Sequence, residues 1–286
     1  FGTPRKDRYY IIKKLKANLS PIFVIVPGRI GPLSSSYKSY RSKRPIISFT
    51  DFSGIKNRVW RIDSGIRLRG IEASFRNRHL FIADGHHRAA GASRVREEMR
   101  KKNTAGSDDY TAEYNFFLAV LFPSEQLRIL AYNRYVCDLN GRTTQEFLEE
   151  VKTRFDIAQM QNPEPSQKGT FCMYLDRKWY SLTLTRAVRA KDPVDALDLS
   201  IFQKSLLEPI LGIRDQKKDR RIDFVGGTDS THKLERLVDK EGGVAFSFYP
   251  VGVKELLAVA DAGMVMPPKS TWFSPKLRSG LLIHLF

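Results

Sequence analysis

The sequence predicts a mixed α/β fold of the α+β kind, and three observations carry that expectation. Short apolar runs that suit buried strands alternate with longer stretches that suit helices. Two of the strand patterns flank a tight polar turn at Asp176-Arg177-Lys178, as in a hairpin. With 286 residues, 42% of them hydrophobic, the chain can bury a substantial core, and its length fits two domains.

Taken in order, residues 6–19 read as a basic helix closed by Ser20-Pro21, and the unbroken apolar run Ile22–Val26 reads as a buried strand. Serine-rich residues 28–43 read as a loop. A strand over residues 57–63 and a short helix over 66–75 follow. Leu80-Phe81-Ile82-Ala83 then runs into Asp84 and Gly85, a strand entering a sharp turn, and a helix is expected from there to about Lys102. Its small residues Ala89, Ala90, Gly91 and Ala92 are expected to let it pack close to the sheet. Residues 103–109 supply helix breakers. Residues 114–122 form an apolar strand stopped by Pro123, and with residues 128–137 they are expected to close the first unit as a hairpin-like pair.

Asp138-Leu139-Asn140-Gly141 is the expected boundary, which gives units 1–140 and 141–286. Beyond it, Thr143 is placed to cap a helix over residues 144–155, with Glu146 at the capping-box position. Strands over 171–175 and 179–185 flank the polar turn. A helix over 198–211 is disturbed by Pro209, and a strand over 221–225 ends in Gly226-Gly227. A helix opened by Asp229 or Ser230, a strand over 244–249 and a helix over 254–262 complete the pattern.

The strongest compositional signal is charge. Lys and Arg number 48 against 31 Asp and Glu, a net charge of +17, so an anionic partner is expected. The basic residues are scattered and are not interleaved with stacking aromatics, which argues against nucleic acid as that partner. No apolar run approaches the roughly 20 residues that span a bilayer, and no signal-peptide pattern opens the chain. Cys137 and Cys172 match no metal spacing and read as buried thiols in a reducing, cytoplasmic setting. Gly-x-Ser-x-Gly, His-Glu-x-x-His and Cys-x-x-Cys are absent, which sets aside common serine hydrolases, zinc proteases and zinc ribbons.

Chemistry is densest at Asp84-Gly85-His86-His87-Arg88. A helix N-terminus carries partial positive charge, so stability alone would favour acids in its first turn, where this chain offers two imidazoles and a guanidinium. That inversion suits a site where exposed amides and cations meet phosphate oxygens, with Asp84 capping the first amides. The plainer alternative has these side chains capping carbonyls or facing solvent. Adjacent helical residues diverge by about 100°, so His86 and His87 are not expected to share a metal ion. Val225-Gly226-Gly227-Thr228-Asp229 is a weaker second anion nest, as readily a plain tight turn. Met266-Pro267-Pro268-Lys269-Ser270-Thr271-Trp272-Phe273 sets a cation, two hydroxyls and two aromatics on a proline-stiffened loop, and Tyr132-Asn133-Arg134 is a candidate cleft edge.

Phe81-Ile82-Ala83-Asp84-Gly85-His86-His87-Arg88, Tyr114-Asn115-Phe116-Phe117-Leu118-Ala119-Val120, Arg221-Ile222-Asp223-Phe224-Val225-Gly226-Gly227 and the 266–273 block together resemble the bacterial domain-of-unknown-function family 1015. That family is in turn similar to ParB and sulfiredoxin-like proteins and to free serine kinases. The resemblance implies a ParB/sulfiredoxin-like nucleotide-binding unit over 1–140, N-terminally incomplete, and an α+β unit over 141–286. It implies that Gly85, His86 and Arg88 hold the phosphates of ADP or ATP, with Mg²⁺ the candidate ion. Asp84 and His87 would be catalytic, and Arg134, Lys269, Ser270 and Thr271 would line the substrate cleft. The implied reaction is nucleotide-dependent phosphoryl transfer to a small hydroxyl metabolite, free serine first.

Sulfiredoxins carry their reactive cysteine where this chain has His86, which excludes sulfinate reduction. Two departures stand out. Ser274 replaces the family's usual Glu, and the His-Glu pair that commonly precedes the segment around Thr3 would fall before Phe1, so the general base is expected outside the sequence or lost. The alternative from another class is a non-catalytic nucleotide-sensing or nucleic-acid-binding ParB-like module, and a third is a degenerate relative. Acceptor identity, ADP against ATP, and oligomeric state are not legible.

Overall fold

The computed structural model describes residues 4–52, 54–63, 65–102, 110–274 and 276–286, and its contacts divide the chain into two units, Phe1–Leu127 with Leu277–Phe286, and Arg128–Lys276. The expected breakers at 103–109 lie outside the described residues. The first unit runs α1 (Pro4–Leu15), β1 (Ala17–Asn18), β2 (Ile22–Val26), α2 (Gly31–Arg41), β3 (Ile47–Thr50), β4 (Lys56–Val59), α3 (Gly65–Phe75), β5 (Phe81–Asp84), α4 (His86–Lys102) and β6 (Ala119–Pro123). β2 is the middle strand of a three-stranded sheet, antiparallel to β5 and parallel to β6, and all five of its residues are buried. An unbroken apolar run suits that place because both faces are covered.

α1 packs on α4 through Tyr9, Ile12, Ala92 and Val95. The small residues of α4 serve this contact: a Cβ on Gly91 would stand 3.2 Å from the Tyr9 amide nitrogen, so the close approach expected toward the sheet is made to α1. The Tyr9 hydroxyl donates to Glu98 at 2.5 Å and Lys13 Nζ lies 2.7 Å from the same carboxylate. Hydrogen bonds from Lys13 and Tyr9 hold the Glu98 pKa down at about 2. A depressed carboxylate pKa contributes stability above its unfolded value, lost as pH falls through the folded one. Acid titration between about pH 4.5 and 2 is therefore expected to loosen α1 from α4, and Glu98→Gln to remove that dependence, as read by amide exchange.

Several elements differ from the sequence reading in this unit: α1 ends at Leu15 and Ala17–Asn18 form a strand inside the expected helix, and the expected strand over 114–122 begins only at Ala119, after a single 3₁₀ turn over Glu113–Asn115. The serine-rich stretch forms α2, because Pro32 in its first turn sets a helical φ and its far end is tied to α3 by Arg67 Nη1 donating to Ser39 Oγ at 3.0 Å. Serine's low helix preference is overridden by these neighbours. Ile47–Thr50 adds a strand the reading missed, paired antiparallel with β4.

The second unit contains β7 (Arg128–Leu130), β8 (Tyr132–Val136), α5 (Thr144–Lys152), β9 (Phe155–Met160), β10 (Thr170–Leu175), β11 (Lys178–Leu184), α6 (Asp198–Phe202), β12 (Ile222–Gly226), α7 (Ser230–Glu241), β13 (Val244–Phe248), α8 (Val253–Asp261) and β14 (Trp272–Ser274). Its main sheet is antiparallel throughout, in the order β12-β8-β13-β10-β11-β9. Alternation divides its faces: Phe171, Met173 and Leu175 join a core with Phe147, Phe202 and Phe246, while Cys172 and Tyr174 pack with Trp179, Leu234 and Val238. Asp176 (φ 47°) and Arg177 (φ 58°) turn the β10–β11 hairpin as expected of a tight primed turn. β15 (His284–Leu285) pairs with β1 in the first unit.

The expected pairing of residues 114–122 with 128–137 does not form. β6 pairs with β2, whereas β8 pairs with β12 and β13, so the contacts divide the chain before Arg128, upstream of Asp138-Leu139-Asn140-Gly141. The capping box at Thr143 is present, with the Thr143 amide donating to Glu146 Oε2 at 2.8 Å, but α5 stops at Lys152 and Phe155 opens β9. After α6 the chain widens into a π-helical turn over Gln203–Leu207, ahead of Pro209, where the sequence reading has a continuous helix. Cys172 is buried and its thiol pKa is pushed up to about 11, whereas Cys137, one residue past β8, is exposed, against the expectation of two buried thiols. The architecture is α+β. Among the described residues no helix is long and apolar enough to cross a membrane.

Candidate functional site

In the first unit β5 ends at Asp84, Gly85 adopts φ +93°, and α4 begins at His86. The Gly85 carbonyl accepts the Ala89 amide at 2.9 Å, so the amides of His86, His87 and Arg88 precede the first intrahelical bond. The Arg88 side chain folds back over the turn. A Cβ on Gly85 would stand 2.8 Å from its Nε and 2.9 Å from its Nη2, so a larger residue would displace the guanidinium from the turn, while the left-handed φ is what calls for glycine. Arg88 Nη2 donates to Asp84 Oδ2 at 3.1 Å. The Asp84 carboxylate therefore meets the guanidinium, and the expected cap from Asp84 to the helix amides is not made.

His86 and His87 are exposed on the first turn and hydrogen-bond to no side chain among the described residues. Arg88 alone of the three reaches a hollow, one of about 110 Å³ lined also by Arg8, Asn18, Ser20 and Ser279. The expected convergence of both imidazoles with the guanidinium is not seen, since successive helical residues point apart. Asn18 is buried with Nδ2 3.2 Å from His284 Nδ1, and the Ser20 and Ser279 hydroxyls are 2.5 Å apart. Sequence reasoning missed Arg8, Asn18, Ser20 and Ser279, which carry no motif and meet through the packing of α1 on α4 and the pairing of β1 with β15.

Arg134, Lys269, Ser270 and Thr271 belong to the second unit. The structure brings the first three together. Arg134 on β8 is 1% exposed, donates from Nη2 to the Lys269 carbonyl at 3.1 Å, and stacks 4.6 Å from the Phe224 ring. Burial pushes its pKa down, yet a guanidinium keeps its charge. Ser270 is buried and its hydroxyl donates to the Pro267 carbonyl, so it braces the loop. Lys269 (φ 54°) places Nζ 5.5 Å from the Tyr132 ring centroid, and Thr271 is half-buried.

Trp272 covers the Gly226 end of β12, where a Cβ would stand 2.2 Å from Cε3. Gly226→Ala is expected to evict the indole from Tyr132, now 5.2 Å between ring centroids, and to red-shift tryptophan emission. The second nest lies beside a cavity of about 200 Å³ lined by Asn133, Gly227, Thr228 and Ser230 among others. Among the described residues no group of three His, Cys, Asp or Glu side chains is placed to hold a metal ion.

A family model described as a protein of unknown function, DUF1015, matches residues 1–200. No curated protein matches the chain. Among solved structures the chain is similar to a conserved hypothetical protein from Pyrococcus furiosus, at 12% identity over 96% of this chain and 85% of that one, with a TM-score of 0.43. It is similar to a free serine kinase variant in complex with ADP, at 12% identity over 94% and 79%, with a TM-score of 0.44. It is also similar to SbnI with C-terminal truncation from Staphylococcus aureus, at 11% identity over 100% and 81%, with a TM-score of 0.36. These likenesses are distant.

Proposed function

For a chain that belongs to the DUF1015 family of proteins of unknown function, we propose a nucleotide-dependent phosphotransferase acting on a small hydroxyl metabolite, with free serine the first acceptor to test. In this reading the first unit is a ParB/sulfiredoxin-like nucleotide-binding unit. The observation that carries it is the Arg88 guanidinium, held over Gly85 by Asp84 at the mouth of α4 and beside a polar hollow. A cation at the positive end of a helix is favourable when an anion joins it. Asp84 is mostly exposed and supplies part of that negative charge, and a phosphate group supplies the rest.

Phosphoryl transfer asks the protein for position and charge neutralisation more than for covalent chemistry. Arg88 and the first-turn amides meet the phosphate oxygens, and the exposed His87 side chain would have to turn toward Arg88 to donate to the transferring group. Asp84 Oδ1 accepts no hydrogen bond among the described residues. It is the oxygen that would orient the acceptor hydroxyl or hold a Mg²⁺ carried by ADP or ATP, which would neutralise charge between the phosphates.

The test is a screen of ADP and ATP consumption against hydroxyl amino acids. Turnover that requires an acceptor and is lost in Arg88→Ala is expected. Absence of both nucleotide binding and turnover overturns the reading. The net charge of +17 favours, as a second reading, a non-catalytic module that binds nucleotide or nucleic acid. A nucleic-acid binder would lose affinity steeply with salt and turn nothing over.

A further inference from the structure

The second unit buries a cation that its own residues leave without a counter-charge. Arg134 donates from Nε to Gln216 Oε1 at 2.9 Å, from Nη1 to the Tyr132 and Asn133 carbonyls at 2.6 and 3.5 Å, and from Nη2 to the Lys269 carbonyl at 3.1 Å. Every one of these partners is neutral, and no carboxylate pairs with Arg134 among the described residues. A guanidinium has five N–H donors, so one on Nη2 is unspent. The Phe224 and Phe248 rings, 4.6 and 5.6 Å away, attract the charge without cancelling it. A buried charge in such a setting calls for an opposite one.

Arg134 lines a cavity of about 380 Å³ in the same unit, which also exposes Lys204, Arg214 and Lys217. Of its two carboxylates, Asp195 is engaged by Lys204 at 2.6 Å, and Asp215 lies 3.8 Å from Lys218. An amide relay fixes the guanidinium from the cavity wall: Gln216 Nε2 donates to Gln203 Oε1 at 2.8 Å, and Gln203 Nε2 donates to the Ile213 carbonyl at 2.7 Å. Gln203 opens the π-helical turn, a widening found often at functional sites. The volume suits a small metabolite. The geometry points to this cavity as a binding site for a phosphorylated small metabolite, whose phosphoryl group meets the free N–H of Arg134 with Arg214 and Lys217 around it. This assignment does not depend on the role of the β5–α4 turn.

The experiment is calorimetric titration of the full chain with inorganic phosphate and with glycerol 3-phosphate. Saturable binding of both is expected, glycerol 3-phosphate at least as tightly as phosphate, and it should persist in Arg88→Ala. The double variant Arg214→Ala/Lys217→Ala, which alters exposed side chains alone, should weaken it at least tenfold, and Arg134→Gln should abolish it. If Arg134→Gln does not fold, the double variant decides. No saturable binding at millimolar ligand, binding of phosphate without glycerol 3-phosphate, or affinity unchanged in the double variant would overturn the assignment.

Discussion

Arg88→Ala is expected to weaken ADP or ATP binding by roughly 10- to 150-fold, the loss of a charge-assisted hydrogen bond worth about 1.5–3 kcal/mol. Arg88 is the one member of the basic triplet that reaches the hollow, and its side chain is 23% exposed, so its charge is less screened than that of the open imidazoles. Little stability should be lost with it, because its pairing with Asp84 is an i,i+4 surface contact worth a few tenths of a kcal/mol. Arg88→Lys should recover part of the affinity, since a point charge replaces the two-pronged fork. Calorimetry of the three proteins, with thermal melts to verify folding, checks the set.

Gly243→Ala is expected to be among the most destabilising small substitutions in the second unit, at about 2–5 kcal/mol from overpacking and left-handed backbone strain. Gly243 has φ +82°, and an added Cβ would stand 2.1 Å from the Val136 carbonyl oxygen and 2.7 Å from the Cys137 carbonyl carbon. Both neighbours are backbone and cannot swing aside as a side chain would. The glycine lies just before Val244, which pairs with Val136, so relief of the clash must part β13 from β8. Gly242→Ala is the control. Nothing lies within 4 Å of an added Cβ, but the residue's φ of 78° with ψ of −163° is a region almost confined to glycine, so backbone strain of about 1–3 kcal/mol alone is expected. Thermal melts of both variants against the parent separate the two costs.

The residues that announce themselves by local chemistry were legible in the sequence. The unbroken run at β2, the capping box at Thr143 and the strand-turn-helix at Asp84-Gly85-His86 each follow from interactions within a few residues. Elements decided by distant partners were not. The helix at Gly31–Arg41 depends on α3 against serine's own preference, and the fate of Tyr132–Val136 depends on β12 and β13, far along the chain. The same division runs through the candidate sites. Gly85 and Arg88 were visible as a motif, whereas Arg8 and Asn18 reach the hollow only through tertiary packing. Arg134 is legible as a candidate cleft residue at a strand end, but its burial without a counter-charge is a property of the folded second unit.

At the β5–α4 turn, phosphate oxygens are expected on the first-turn amides and the Arg88 guanidinium. A ¹⁵N–¹H NMR titration with ADP reports on those groups directly. The amide resonances of His86, His87 and Arg88 should move earliest and farthest, with the Arg88 Nε–H following the same isotherm. ADP binding that leaves these four signals in place while others shift would contradict the account.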